Sequence, residues 1–423
     1  MRLVHSFSPF EEFCFLFDDD GLPAEVSVWR ESDLQTGALY VAQAVRCVGS
    51  GWFLDVGKEA AVYLNNPPFY LKPDGTLCDR KLIEGDRLIV RIVRPQTAEK
   101  EAEASYKATL SGQYTVLIPT QKTPSFSRQL AQEAKDRLKL LAPDDGVLFR
   151  TASQNADLNE IASEIERLKQ EWKSVLPKND KPGLLYKPRR DIFAYAEKYR
   201  DSLTEIVTDD SETSAFLKKE GFNVIFDMQG VWEKERLDEA LDMVRAERTP
   251  LPSGGFLIVQ QTAACVCFDV NTGSGHAFAA NEEACPEILR QIRLKGLGGQ
   301  MIVDFAGRKD KKVISHLLPK LKNENVFVGG ISTLGLVELT VEKTKRSIFD
   351  LFSFEQKDIR NAAEIIRALW FSSPKTEVLV CVPAGVLKYL SSCVRRLEDR
   401  LGTNIKLQTS ETIRTEGIAN EKA

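Results

Sequence analysis

The chain has 423 residues, 43% of them hydrophobic and 28% charged, a composition of ordinary globular character that divides into roughly two to four domains. A formal net charge of −4 and a pI of about 5.8 argue against a surface coated in basic charge for indiscriminate nucleic-acid binding, and leave room for a local basic channel. No apolar run approaches the ~18 residues that a membrane helix requires.

The opening Met1-Arg-Leu-Val-His-Ser-Phe-Ser-Pro9 lacks the long apolar core of a signal peptide, so a cytoplasmic protein is expected. Residues 1–36 read as a hairpin: Cys14-Phe-Leu-Phe17, an Asp-Gly turn closing at Gly21, then Ala24 to Trp29. An Asp-Gly turn between apolar runs is a hairpin signal. So small a piece cannot hold a core alone and should join a sheet from elsewhere in the chain.

From Gly37 the pattern becomes short strands divided by turns: Ala38 to Cys47, Gly51 to Val56, Ala60 to Leu64 and Asp86 to Val93. This suggests a small barrel. Strand parity puts Trp52, Leu54 and Val56 on the core side, and leaves Phe53 with Asp55 on the solvent side. An exposed aromatic there could stack a single-stranded base, and Trp52 reads as core.

Residues 113–186 hold a strand (Tyr114 to Pro119), a charged helix (Ser127 to Leu141), a strand (Gly146 to Arg150) and a second helix (Asn159 to Leu176). Arg150-Thr151 follows the second strand. A guanidinium beside a hydroxyl can grip a phosphate, although a lone surface Arg is the commoner case. Residues 187–247 alternate helix and strand, ending in a helix expected from Val231 to Arg248.

Two apolar runs carry the chemistry. Cys265-Val-Cys-Phe-Asp-Val-Asn-Thr-Gly273 ends in polar groups, and Gly298-Gly-Gln-Met-Ile-Val-Asp-Phe305 ends in an acid. Side chains alternate across a strand, so Asp269 and Asn271 share a face. If the runs are neighbours in a sheet, Asp269, Asn271 and Asp304 offer three oxygen groups to one point. Such donors suit a hard ion such as Mg²⁺. Taken singly, each Asp reads as the close of a strand and the start of a turn. The helix between the runs, Asn281 to Leu297, makes them a strand–helix–strand crossover.

Further on, Val313 to Leu321 reads as helical and Val326 to Ile331 as a strand. Residues 355–423 form a smaller unit of helix, strand, helix and strand, closed by a polar tail of about a dozen residues. The eight cysteines contain no Cys-x-x-Cys pair, so no structural zinc is expected, and those in apolar runs read as reduced core residues. With three histidines, His5, His276 and His316, a metal-activated water is easier to support than a histidine base. Candidates for the basic channel are Lys187-Pro-Arg-Arg190, Arg308-Lys309 with Lys311-Lys312, and Lys343 with Lys345-Arg346, each more often a solvated face.

With these runs in place, the sequence resembles the ribonuclease E/G family of single-strand-specific endoribonucleases. The likeness is carried by Leu251-Pro-Ser-Gly-Gly255, Phe268-Asp-Val-Asn-Thr-Gly273, Arg290-Gln-Ile-Arg-Leu294, Leu297-Gly-Gly299 and Ile302-Val-Asp-Phe305. Weaker support comes from Ile331-Ser332, Gly335-Leu-Val-Glu338, Val382-Pro383 and Tyr389-Leu390.

The resemblance implies a multidomain α/β and α+β protein. Its parts would be an RNase H-like domain (1–36 and 187–247) with an inserted S1 (OB-type) RNA-binding barrel (37–112), a 5′-sensor region (113–186), a DNase I-like catalytic domain (248–354) and a small C-terminal α/β domain (355–423). It implies that Asp269, Asn271 and Asp304 are catalytic and hold Mg²⁺, with Mn²⁺ as a substitute. Phe53, Tyr63, Arg94 and Lys100 would contact RNA, and Arg150, Thr151 and the backbone near Val116 would take a 5′-monophosphate. The implied activity is Mg²⁺-dependent hydrolysis of single-stranded RNA, favouring 5′-monophosphorylated ends, in rRNA and tRNA maturation and mRNA decay. The alternative is a catalytically weakened S1-containing RNA-binding protein.

The sequence also departs from the family pattern. Phe352-Ser-Phe-Glu355 runs into the next helix without the family's zinc-link Cys-x-x-Cys, so a homodimer would form without bridging zinc. The loop Ser274-Gly-His-Ala-Phe278 is short and has lost basic residues. Gly307 stands where a second acid is usual, Thr333 and Val341 where arginines are, and Glu101 follows Lys100 where the family has glycine.

Overall fold

The computed structural model describes residues 1–97, 100–177, 180–307, 311–374 and 376–417. They fall into two compact units, Met1–Asp33 with Arg189–Ala423, and Leu34–Pro188.

The unit Leu34–Pro188 begins as a barrel. Leu39–Val48 pairs with Gly51–Asp55 on one side and with Arg87–Arg94 on the other. The ladder continues through Val62–Asn65 and Ala102–Ser105 and closes the ring, which removes the exposed edge of an open sheet. Trp52, Leu54, Val62, Leu64, Val90 and Ile92 fill its interior, while Phe53 and Tyr63 are half-buried on the outer face, as parity predicts. Beyond the barrel, Leu110–Ser111, Thr115–Leu117, Val147–Phe149 and Ser125–Phe126 form a four-stranded sheet. It packs with the helices Gln132–Lys139 and Leu158–Val175. The first of these is shorter than expected because Ser125–Phe126 joins the sheet and the Ser127 N–H donates to the Phe149 carbonyl at 2.8 Å. Asp157 starts the second by accepting from the Asn159 and Glu160 N–H groups, a cap worth about 1 kcal/mol.

In the other unit, residues 1–33 supply three strands where two were expected: Arg2–Phe7, Glu11–Phe17 and Pro23–Arg30. Arg2–Phe7 pairs in parallel with Glu205–Thr208, which pairs in parallel with Val224–Phe226. The N-terminal piece thus joins a distant sheet, as its size required. Glu11–Phe17 is buried along its whole length, so its apolar run shows no alternation. The helix expected to start at Val231 runs only over Leu237–Arg245. Arg236 adopts a left-handed φ of 52° just before it, and Arg248–Pro250 leaves to pair with Phe256–Gln261.

Six strands make the second sheet of this unit, in the order Arg248–Pro250, Phe256–Gln261, Val266–Asn271, Gly299–Asp304, Val337–Val341 and Val326–Ile331. Val266–Asn271 and Gly299–Asp304 are parallel neighbours joined by the helix Ala277–Leu294. Val266, Phe268, Met301 and Val303 pack with Ala284 and Ile288 of that helix. The helical stretch expected over 313–321 is two short turns, Lys311–Ser315 and Leu318–Leu321.

At the C-terminus, Ile405–Thr409 pairs in parallel with Val378–Val382 over a core shared by the helices Lys357–Trp370 and Ala384–Leu401. Part of the expected polar tail is instead a strand. Arg414–Glu416 pairs antiparallel with Val378–Val382, and its side chains are all exposed. Backbone hydrogen bonds alone recruit it, so no apolar pattern marks it. No helix among the described residues is long and apolar enough to cross a membrane.

Candidate active site

Asp269 and Asp304 are direct partners across the parallel pair, the register running Val266 with Met301 through Asp269 with Asp304. Asp269 is exposed, and Asn271 and Asp304 are half-buried. The Asn271 amide donates to Asp269 Oδ2 at 2.9 Å, which orients that carboxylate. Neighbouring strands lie about 4.8 Å apart. A Mg²⁺ ion with bonds near 2.0–2.1 Å places opposite ligands roughly 4 Å apart and keeps its other positions as water. Two carboxylates so placed, with an amide beside them, fit the ion that the resemblance implies. Among the described residues no group of three or more His, Cys, Asp or Glu converges for a metal. The candidate set has only two carboxylates, and its all-oxygen character suits a hard ion.

The glycines around these residues have a steric reason. A Cβ on Gly255 would lie 2.5 Å from the Asn271 carbonyl, and one on Gly273 would lie 2.3 Å from the Gly254 carbonyl. Gly273 also has φ of 55°, a conformation that disfavours other residues. Leu251-Pro-Ser-Gly-Gly255 is thus the backbone surface against which the Asn271–Gly273 turn closes. A residue the sequence reading did not single out holds the other strand end. Asn281, buried in the first turns of the helix, donates to the Ala306 carbonyl at 3.0 Å and accepts from the Ala306 N–H at 2.8 Å. Both hydrogen-bonding groups of the Asn281 amide are therefore spent on the turn just after Asp304.

On the barrel, Phe53, Tyr63 and Arg94 fall on one cross-strand row. Phe53 stands opposite Tyr63, Tyr63 opposite Glu103 and Glu103 opposite Arg94. The rings of Phe53 and Tyr63 meet edge to face at 5.8 Å, and Arg94 pairs with Glu103 at 3.0 Å. Arg46 extends the row, its guanidinium 5.6 Å from the Phe53 ring centre. Gly51 is needed there, because a Cβ would meet the Tyr63 hydroxyl at 2.3 Å. Lys100 lies off the row on an exposed turn, its N–H donating to Thr97 Oγ1.

In the adjoining sheet, Arg150 donates from Nη1 to the Gly112 carbonyl at 2.9 Å, and Thr151 Oγ1 lies 2.9 Å from Ser127 Oγ. Both residues are exposed. Val116 is opposite Leu148, so Arg150 sits against the 112–114 turn more closely than against Val116. Glu164 fills that turn. Its carboxylate accepts from the Gln113, Tyr114 and Thr115 N–H groups at 2.7, 3.0 and 2.8 Å and from the Thr115 hydroxyl at 2.7 Å. Consecutive N–H groups gathered on one anion make a backbone nest.

Two of the candidate basic clusters are engaged at least in part inside the protein, although Lys187 and Arg189 are exposed. Arg190 pairs with Glu12 at 2.7 Å and Asp210 at 3.0 Å. Lys343 pairs with Asp350, Lys345 donates to the Val26 carbonyl, and Arg346 pairs with Asp33. These groups hold the fold together and are not a free cationic channel. Arg308 and Lys309 lie outside the described residues.

Comparison with known proteins bears on this arrangement. Ribonuclease G of Escherichia coli (strain K12) is 27% identical over 384 residues, covering 78% of this chain and 77% of that protein. Ribonuclease G of Haemophilus influenzae is 28% identical over 388 residues with the same coverage. Ribonuclease E of Nostoc sp. is 28% identical over 324 residues, 67% of this chain and 47% of that protein. The ribonuclease E/G family profile matches residues 109–344, more than half of the chain and all of the stretch that sets Asp269 against Asp304. By that match the chain belongs to the ribonuclease E/G family.

Proposed function

We propose that this chain is a Mg²⁺-dependent endoribonuclease that hydrolyses phosphodiester bonds in single-stranded RNA, in rRNA and tRNA maturation and mRNA decay. The observation that carries this reading is the register that sets Asp269 opposite Asp304, with Asn271 bonded to the first. These three residues would hold the ion. When bound, Mg²⁺ supplies an acidified water and positive charge for the phosphate oxygens. The chain's own work is positional. Asn271 fixes the rotamer of Asp269, Asn281 fixes the turn beyond Asp304, and the glycine turns bring the backbone close enough for both. Cleavage of an internally labelled single-stranded RNA should appear with added Mg²⁺ and vanish with chelator. Binding with no cleavage under either condition would favour the weakened RNA-binding protein instead.

A preference for 5′-monophosphorylated ends is a second element of the proposal, motivated by exposed Arg150 and Thr151 beside one another. It predicts that a 5′-monophosphate RNA is cut faster than its 5′-hydroxyl counterpart. Equal rates would remove it. We also infer that any homodimer is held without zinc, since no Cys-x-x-Cys follows Phe352-Ser-Phe-Glu355. The mass in solution should not change with chelator; a dimer that chelator dissociates would reject this.

A further inference from the structure

The helix Ala277–Leu294 opens with an aromatic that the arrangement above does not use. Phe278 is 66% exposed, on the second residue of the helix. Its ring stacks on His316, with centroids 5.7 Å apart and planes 12° from parallel. The imidazole is held in turn: His316 Nε2 lies 2.8 Å from Glu282 Oε1, and Lys320 pairs with the other oxygen of the same carboxylate. Glu282 is four residues after Phe278, hence on the same helix face. The result is a flat aromatic pair whose orientation is fixed by a hydrogen-bonded acid and whose outer surface is left to solvent.

Its position matters as much as its exposure. The helix begins six residues after Asn271 in a strand–helix–strand crossover, so its first turn lies at the same end of the sheet as Asp269 and Asp304. The turn after Asp304 packs directly on that first turn, since a Cβ on Gly307 would lie 3.1 Å from the Ala277 Cβ. An aromatic exposed to this degree covers no core, and a phenyl face in water gains by being covered.

We propose that Phe278, backed by His316, is a stacking platform for one nucleobase of the single-stranded RNA, next to the scissile phosphate. This rests on the ribonuclease reading and deepens it by naming a subsite. A phenyl face takes any base, because each presents a π surface, so the platform positions the strand without reading its sequence. It is a positioning contact, acting on where the backbone lies relative to Asp269 and Asp304.

The test walks a single abasic residue through a short 5′-monophosphorylated RNA across a mapped cleavage site. In the wild-type protein one position near the cut should cost about ten-fold in kcat/KM, carried by KM. In Phe278→Ala the intact RNA should lose about the same factor and the abasic change at that position should cost nothing more. Phe278→Trp should restore the wild-type pattern. Phe278→Leu should not, which separates stacking from mere apolar bulk. An abasic walk with no position whose cost disappears in Phe278→Ala overturns the proposal, as does Phe278→Leu acting like wild type. Fluorescence anisotropy with the same labelled RNAs provides an arm that does not depend on catalysis. If the wild type binds but does not cut, the nuclease reading fails alone. If Phe278→Ala binds as tightly as wild type, the platform fails whether or not RNA is cut.

Discussion

Asp304→Asn and Asp269→Asn are each expected to lower Mg²⁺-dependent RNA cleavage by at least about a hundred-fold, more than the loss typical of an outer partner of a metal ligand. The substitution keeps the shape and removes the charge, so the sheet should remain folded. Stability should in fact move the other way. The two carboxylates stand directly opposite across a strand pair, where like charges are unfavourable. Without metal each variant should therefore gain about 0.2–1 kcal/mol. Added Mg²⁺ should raise the Tm of the wild type by selective binding to the folded state and have little effect on either variant. Cleavage rates and thermal melts with and without Mg²⁺ read both effects. Variants that cut at the wild-type rate would remove these acids from the reaction. Lost activity with an unchanged Mg²⁺ response would make them something other than ligands.

Arg30→Met is expected to carry the largest stability cost, about 3–5 kcal/mol, because it strips one partner from a buried charge pair. Arg30 and Glu11 have only 1% and 4% of their side chains exposed and meet at 2.6 Å. Arg30 also donates to the Leu351 carbonyl at 3.1 Å, which ties the strand Pro23–Arg30 to a helical turn more than three hundred residues later. Removing it leaves the Glu11 carboxylate buried with Arg367 at 3.5 Å as its remaining cation, so the cost should fall toward the lower end of that range. Urea denaturation with an unchanged m-value would measure it. A loss under about 1 kcal/mol would show that Arg367 suffices to hold Glu11 in the interior.

The metal-binding candidates were legible because strand alternation is a strict rule. Asp269 and Asn271 had to share a face, and Trp52 and Phe53 had to face opposite ways, as they do. Residues whose roles depend on partners far away in sequence were not legible. Asn281 reads as an ordinary helix residue until the turn at Ala306 is brought against it. Glu164 is one of several acids on a charged helix until three N–H groups of the 113–115 backbone converge on it. Arg46 lies outside any basic run, and only pairing sets it across from Phe53. Nor was it legible that Arg190, Lys343 and Arg346 spend their charges on ion pairs within the fold, because Glu12, Asp210, Asp350 and Asp33 meet them only after folding.

By itself, then, the sequence determined local periodicity and steric need: which side chains share a strand face, where glycine alone fits, and which apolar runs must be buried. Only the tertiary structure decided that Asp269 faces Asp304. Alternation says which face a residue takes, whereas register says which residue it meets, and a slip of one position would send one acid to the opposite side of the sheet. That register comes with the crossover helix packing on both strands, contacts that no local stretch of chain contains.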